Sequence, residues 1–307
     1  MGVLCISAPT DPAERGPTGR SRRPRSGSDV PGPAGPVGYG RPVPSYDDDL
    51  RLAHVLADAV EPTTTGRFLA DDLVVETKPD LTPVSDADTA AEELLRAQLK
   101  RTRPRDAVVG EELESTGHGP RQWIIDPIDG TKNFVRGVPV WATLIGLVVD
   151  GEPVLGLVSA PALQRRWWAA QGSGAWTGRT LTRARRISVS QVRTVADASI
   201  SFGDVRDFDR IGRGEQVQQL VADAWRVRAY GDFWSHMLVA EGAVDAAPEA
   251  ELAVHDMAAL APIVTEAGGR FTGLDGRDGI WSGNALSSNG LLHEELLGRL
   301  GSQDAAG

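Results

Sequence analysis

The chain of 307 residues has a single cysteine, Cys5, so it can form no intrachain disulfide and build no cysteine-based zinc site. No apolar run approaches the roughly 20 residues that span a bilayer. The opening Met1-Gly-Val-Leu-Cys-Ile6 lacks the basic region of a secretory signal, and Ile6 stands where a myristoylation sequence takes Ser or Thr. Positive charge is also short: 32 basic against 42 acidic residues leave a formal charge of −10. That excludes a general nucleic-acid binder, which needs a basic face to neutralise phosphates. The expectation is a soluble cytoplasmic protein with neither a membrane nor a nucleic-acid partner.

Residues 1–44 differ in kind from the rest. Gly16-Pro-Thr-Gly-Arg-Ser-Arg-Arg-Pro-Arg25 and Pro31-Gly-Pro-Ala-Gly-Pro36 offer almost nothing to bury, which predicts a disordered Pro/Gly/Arg-rich extension. Ser45 then caps a helix whose first turn holds Asp47, Asp48 and Asp49, with Leu50, Ala53, Leu56, Ala57 and Val60 at helical spacing. Pro62 and Gly66 leave the end of that helix open, and a second helical piece is expected over 68–73. A further cap, Ser85 with Asp88 at N3, opens a helix whose buried face is expected to be Ala90, Ala91, Leu94, Leu95 and Leu99. Strands are expected over 107–110 and 121–126, with a hairpin of 140–149 and 154–159 about Asp150-Gly151. From about Val189 the pattern turns to alternating strands and helices, including one apolar helix over 254–267. Residues 45–188 therefore read as an N-terminal α+β lobe and 189–307 as a C-terminal α/β lobe.

The stretch that organises the chain is Trp123-Ile-Ile-Asp-Pro-Ile-Asp-Gly-Thr-Lys-Asn-Phe134. A strand ending in two carboxylates beside a glycine turn can hold hard cations and present backbone N–H groups to phosphate. The same residues also make an ordinary turn. Further carboxylates stand at the ends of expected elements: Glu111-Glu112, Asp256 and Asp88.

Glu111-Glu112 after Val-Gly, Asp126-Pro-Ile-Asp-Gly-Thr131, and His255-Asp-Met-Ala258 leading to Glu266-Ala-Gly-Gly269 together resemble the signatures of the inositol monophosphatase family, in its order, over residues 46–300. The resemblance implies a layered αβαβα sandwich, a Mg2+-dependent phosphomonoesterase with two or three ions, and a homodimer. It assigns Glu111, Asp126 and the Ile128 carbonyl to a first ion, Asp126, Asp129 and Asp256 to a second, and Asp88 to a third. Gly130 and Thr131 would meet the phosphate together with Asp129. Thr131, with Glu111 or Asp88, would position and deprotonate the attacking water. Lys78 matches a loop lysine beside this site.

Gly130-Thr-Lys-Asn-Phe-Val-Arg-Gly-Val-Pro-Val-Trp141 and Gly231-Asp-Phe-Trp234 resemble the histidinol-phosphatase branch of actinobacteria. Histidinol phosphate carries an ammonium and an imidazole, which Asp232 and Glu249 would complement. Asp232 can alternatively cap the helix that follows it. The competing functions are an inositol-1-monophosphatase, a broad sugar-phosphate phosphatase, or a silent binding or regulatory protein of the same fold. His54, His118 and His293 are expected at the surface, His236 in a structural role within a helix, and most of the eight tryptophans in the core.

Overall fold

The computed structural model describes residues 45–79 and 82–301; the extension expected over 1–44 lies outside them. Helix α1 (Asp47–Arg67) opens behind Tyr46, and not at the Ser45 cap expected, with the three aspartates in its first turn, where negative charge suits the helix dipole. It does not stop at Pro62. The lost N–H removes one helical bond, but Val60 and Thr64 remain buried on the core face and hold the last turn in place. Residues 68–73 are consequently turns and not a second helix. Strands β1 (Val75–Thr77) and β2 (Pro83–Ser85) pair antiparallel and lead into α2 (Asp86–Thr102).

A seven-stranded sheet follows in chain order: β3 (Ala107–Gly110), β4 (Arg121–Asp129), then after the short helix α3 (Thr131–Val135) β5 (Ala142–Val149), β6 (Glu152–Ala160), β7 (Arg165–Ala170), β8 (Ala175–Thr180) and β9 (Arg183–Arg186). Only β3 and β4 run parallel. The remaining elements are β10 (Ser199–Ser201), α4 (Val205–Arg210), α5 (Gly214–Asp223), β11 (Arg226–Arg228), α6 (Asp232–Ala240), β12 (Ala246–Glu249), α7 (Val254–Met257), α8 (Leu260–Glu266), β13 (Arg270–Thr272), β14 (Ala285–Ser288) and α9 (His293–Leu300). Their five strands form a second sheet in the order β11-β10-β12-β14-β13.

Strand alternation sets the layers. In β4, Trp123 and Ile125 face α1 and α2, while Ile124 faces α6 and α8. In β7, Trp168 and Trp167 divide in the same way. α6 and α8 sit between the two sheets, and α5 and α9 cover the far face of the second around Ile200, Phe202 and Leu286. The result is the αβαβα sandwich that the resemblance implies. No helix among the described residues is long and apolar enough to cross a membrane.

The apolar helix expected over 254–267 is two helices. Pro262 has no N–H for the Ala258 carbonyl, and its ring crowds that carbonyl, so the break falls four residues before it. The sheet approaches closely there. A Cβ on Gly146 would lie 2.8 Å from the Ala258 carbonyl carbon, and one on Gly156 would overlap the Ala259 carbonyl oxygen.

Two expectations about side chains fail. His54 and His293 are buried: His54 meets Trp168 edge-on, and both ring nitrogens of His293 are bonded, to Thr272 and Ser288. Their helices put them on core faces that a lone histidine in a sequence does not reveal. Trp225 and Trp281 stand exposed, unlike the buried Trp123, Trp141, Trp167 and Trp168.

Candidate active site

Asp126 and Asp129 stand three residues apart, so a regular strand would point them to opposite faces. β4 avoids this. Asp126 pairs with Leu144 and Asp129 with Ala142, so three steps on β4 match two on β5. The extra residue is a bulge, and it turns both carboxylates to one side. Pro127 suits the bulge because it has no ladder N–H to lose. The Asp126 carboxylate accepts from the Ile128 N–H at 3.0 Å, and the Pro127 carbonyl accepts from the Thr143 hydroxyl at 2.8 Å. β4 thus extends through Asp129, past the end expected at Asp126.

Asp256 reaches the same point from the third position of α7, with its carboxylate accepting from the Ala253 N–H at 2.7 Å. Oxygens of Asp126, Asp129 and Asp256 all lie within 4.8 Å of one another. Burial pushes the carboxyls of Asp126 and Asp129 well above the usual range. The charges of Glu111 and Asp129 add to this at Asp126, and those of Asp232 and Asp256 at Asp129. Burial raises Asp256 as well. Three crowded carboxylates with few donors of their own need a cation to stay charged. An all-oxygen set of this kind fits a hard divalent ion. Asp129 finds one protein donor, the Phe233 N–H at the start of α6, at 2.8 Å.

Around this triad the expected residues fall into three groups. Asp88 is fully buried in the first turn of α2; one oxygen accepts from the Ser85 N–H and hydroxyl, and the other lies 3.3 Å from Thr131 Oγ1. Burial raises its carboxyl above the ordinary value despite the bonds from Ser85. Thr131 Oγ1 is also 3.0 Å from the Ile128 carbonyl. Glu111 stands outside the triad: Lys78 Nζ donates to it at 2.7 Å and to Glu112 at 2.8 Å. Burial opposes the charge on Lys78, but those two bonds outweigh it and hold the ammonium charged. Burial pushes the Glu112 carboxyl up to about 7.

Asp232 and Glu249 form the third group. Asp232 does not cap α6; it is the first helical residue, at φ 49, with Gly231 before it. Asparagine and aspartate tolerate this left-handed conformation better than most residues. Its carboxylate accepts from Asn133 Nδ2 at 2.8 Å, and burial, followed by the charges of Glu249 and Asp256, pushes it up to about 7. Gly130, at φ 83, could not carry a side chain: a Cβ would sit 3.0 Å from the Val140 carbonyl oxygen and 3.4 Å from Asp232. Neighbouring protein therefore requires glycine here, apart from any ligand.

Three contributors escaped sequence reasoning. Glu92, fully buried, accepts from the Glu112 and Leu113 N–H groups and from Arg96, and so fixes the loop that carries Glu111. A carboxylate beside Ala91 on the buried face of α2 was its only signal. Asn133 braces Asp232 from 99 residues away in sequence. Glu266, in the late Glu-Ala-Gly-Gly run, lies outside the triad; it accepts from the N–H groups of Gly172 and Gly174 and ties α8 to the β7–β8 turn.

The chain resembles known proteins over most of its length. It is 62% identical to the histidinol-phosphatase of Streptomyces coelicolor over 262 residues, covering 84% of this chain and 98% of that protein. It is 57% identical to the histidinol-phosphatase of Mycobacterium tuberculosis, covering 82% and 98%. Among solved structures it superposes on an IMPase of Thermotoga maritima with a TM-score of 0.74 at 31% identity, covering 82% of this chain and 96% of that one. The model of the inositol monophosphatase family matches residues 48–304, and the chain belongs to that family.

Proposed function

We propose that the protein is a Mg2+-dependent phosphomonoesterase that hydrolyses histidinol phosphate to histidinol and phosphate. The observation that carries the substrate is the acidic pair Asp232 and Glu249. Both bear on the triad electrostatically, since the charge of each raises Asp129. A neutral polyol offers such a pair hydroxyl donors but no positive charge, whereas the ammonium and imidazole of histidinol phosphate complement it. The high identity to two histidinol-phosphatases supports the same reading.

Asp126, Asp129 and Asp256 would hold one ion, and Asp126, Glu111 and the Ile128 carbonyl another, with Asp88 near a third. In this reading residues 45–188 carry most of the ligands, and 189–307 supply Asp256 and the specificity residues. When bound, such ions polarise the phosphate, lower the pKa of a water and neutralise the leaving oxygen.

The chain's own residues do the rest. Backbone N–H groups of Gly130 and Thr131 orient the phosphoryl group. The oxygen of water bonds to phosphorus as the ester P–O bond breaks; the water's proton passes by way of Thr131 Oγ1 to Asp88, and the leaving histidinol oxygen takes up a proton from solvent water. Asp88 suits this role. Its raised carboxyl holds a proton more readily than an ordinary aspartate, and its second oxygen is anchored by Ser85. Lys78 bonds Glu111 and Glu112 and offsets part of their charge beside the cluster. A cytoplasmic homodimer is part of the proposal by family resemblance, and sedimentation velocity tests the dimer.

The deciding experiment compares kcat/KM with Mg2+ for histidinol phosphate, inositol 1-phosphate and fructose 1,6-bisphosphate. Histidinol phosphate should be hydrolysed by far the fastest. Equal or reversed values overturn the substrate, and no phosphate release from any ester overturns the enzyme. Asp232→Asn should raise KM for histidinol phosphate more than for a neutral ester.

A further inference from the structure

α6 is a mostly apolar helix with two polar residues on its buried side, Ser235 and His236. His236 is fully buried next to Phe233 and Met237, yet it has polar partners at both ends of its ring. Nδ1 lies 2.8 Å from the Ser287 hydroxyl on β14. Nε2 lies 3.3 Å from Glu249 Oε1 at the end of β12. Neither His236 Nε2 nor Glu249 Oε1 makes a hydrogen bond among the described residues; the 3.3 Å between them is an ion-pair distance without hydrogen-bond geometry. An imidazole in a dry helix–sheet interface is costly unless both nitrogens are used. Ser287 Oγ lies 2.8 Å from Nδ1 and 3.4 Å from the Ala247 carbonyl; donation to the nearer Nδ1 leaves the ring proton on Nε2, facing the Glu249 carboxylate.

The other carboxylate oxygen is confined too. A Cβ on Gly203 would stand 2.8 Å from Glu249 Oε2, so only glycine leaves the carboxylate where it is. Glu249 is thus flanked by His236 on one oxygen and by the Gly203 backbone on the other. Its charge is felt at Asp129, Asp232 and Asp256.

We propose that His236 is a positioning residue for substrate choice: the Ser287–His236 pair orients the Glu249 carboxylate toward the cationic end of the phosphate ester. This rests on the histidinol phosphate reading above. A residue that only tied α6 to β14 would need the Ser287 bond and nothing at Nε2. The two nitrogens can be separated by substitution, because an Asn amide reaches the Nδ1 position and a Gln amide reaches the Nε2 position.

The test measures kcat and KM with Mg2+ for histidinol phosphate and for glycerol 2-phosphate, an ester of a neutral alcohol, in wild type, His236→Asn, His236→Gln and Gly203→Ala. His236→Asn should lose about tenfold in kcat/KM for histidinol phosphate, mostly in KM, as expected when a polar contact that holds a charged group in place is removed. The neutral ester should change little, and His236→Gln should retain most of the wild-type preference. Gly203→Ala displaces Glu249 without touching His236 and should reproduce the His236→Asn loss; it decides the matter if both His236 variants fail to fold. A preference undiminished in His236→Asn, or in Gly203→Ala where only that variant folds, overturns the positioning role. A wild type that prefers neither ester overturns the substrate reading, and the proposal with it.

Discussion

Replacing Asp126 with asparagine should make the metal-free protein more stable while abolishing its activity. The opposition follows from the geometry. Ligand oxygens of Asp126, Asp129 and Asp256 lie within 4.8 Å, and at that distance two full charges repel by about 3 kcal/mol at an effective dielectric of 20. Protonation relieves part of this, at the cost of holding a proton at a pH where an ordinary aspartate is free. Carboxyls raised in the folded state bind more protons there than in the unfolded chain, so they lose stability as pH rises from about 4 through their raised values. The penalty at pH 8 therefore exceeds that at pH 5. The substituted amide would be neutral and could donate to a neighbouring carboxylate while its oxygen still accepts from the Ile128 N–H. A gain of about 2 kcal/mol, or roughly 4–8 °C in melting temperature, is expected. Melting at pH 8 with chelator, then with Mg2+, reads it. In Mg2+ at a hundred times its Kd the wild type should gain about 2.7 kcal/mol and overtake the variant. A variant less stable than wild type in chelator, or stabilised equally by Mg2+, would refute the electrostatic account.

Gly156→Ala would press a methyl group into the Ala259 carbonyl and push α7, with Asp256, out of place. It should cost about 1–3 kcal/mol by thermal melting and weaken Mg2+ binding in a titration, whereas Gly66→Ala, with nothing within 4 Å, should be neutral or stabilising. Burial, followed by the nearby Arg166, lowers His54 to about 4 in the folded protein. The unfolded chain therefore binds the extra proton between about pH 6.5 and 4, and stability falls by up to about 3 kcal/mol as pH drops across that window. Denaturant melts at pH 7 and pH 4.5 should show a smaller difference for His54→Leu, and equal differences would rule this contribution out.

Much of the fold was legible because its signals are local. The Ser85–Asp88 cap, the Asp150-Gly151 hairpin and the helical spacing of Leu50, Ala53, Leu56, Ala57 and Val60 depend on residues within a few positions of one another. Reading failed where a distant neighbour decided the outcome. The break between α7 and α8 was within reach of a local reading, since Pro262 lies four residues beyond it; the close approach of Gly146 and Gly156 to the same point was not. His54 and His293 were misplaced because one polar residue in a helix does not say which face it shares. The ligand motifs were recognisable, but their convergence was not derivable from spacing.

The sequence by itself determined the chemistry on offer: oxygen donors and no thiol cluster, a net charge unsuited to nucleic acid, and a run from Asp126 to Thr131 able to meet both metal and phosphate. Only the tertiary structure decided how those groups stand. A one-residue bulge turns Asp126 and Asp129 to one side, and α7 delivers Asp256 from 127 positions beyond Asp129. The layered packing of α6 against β12 and β14 sets His236 behind Glu249. Side-chain direction and long-range proximity are properties of packed layers, and no local pattern encodes them.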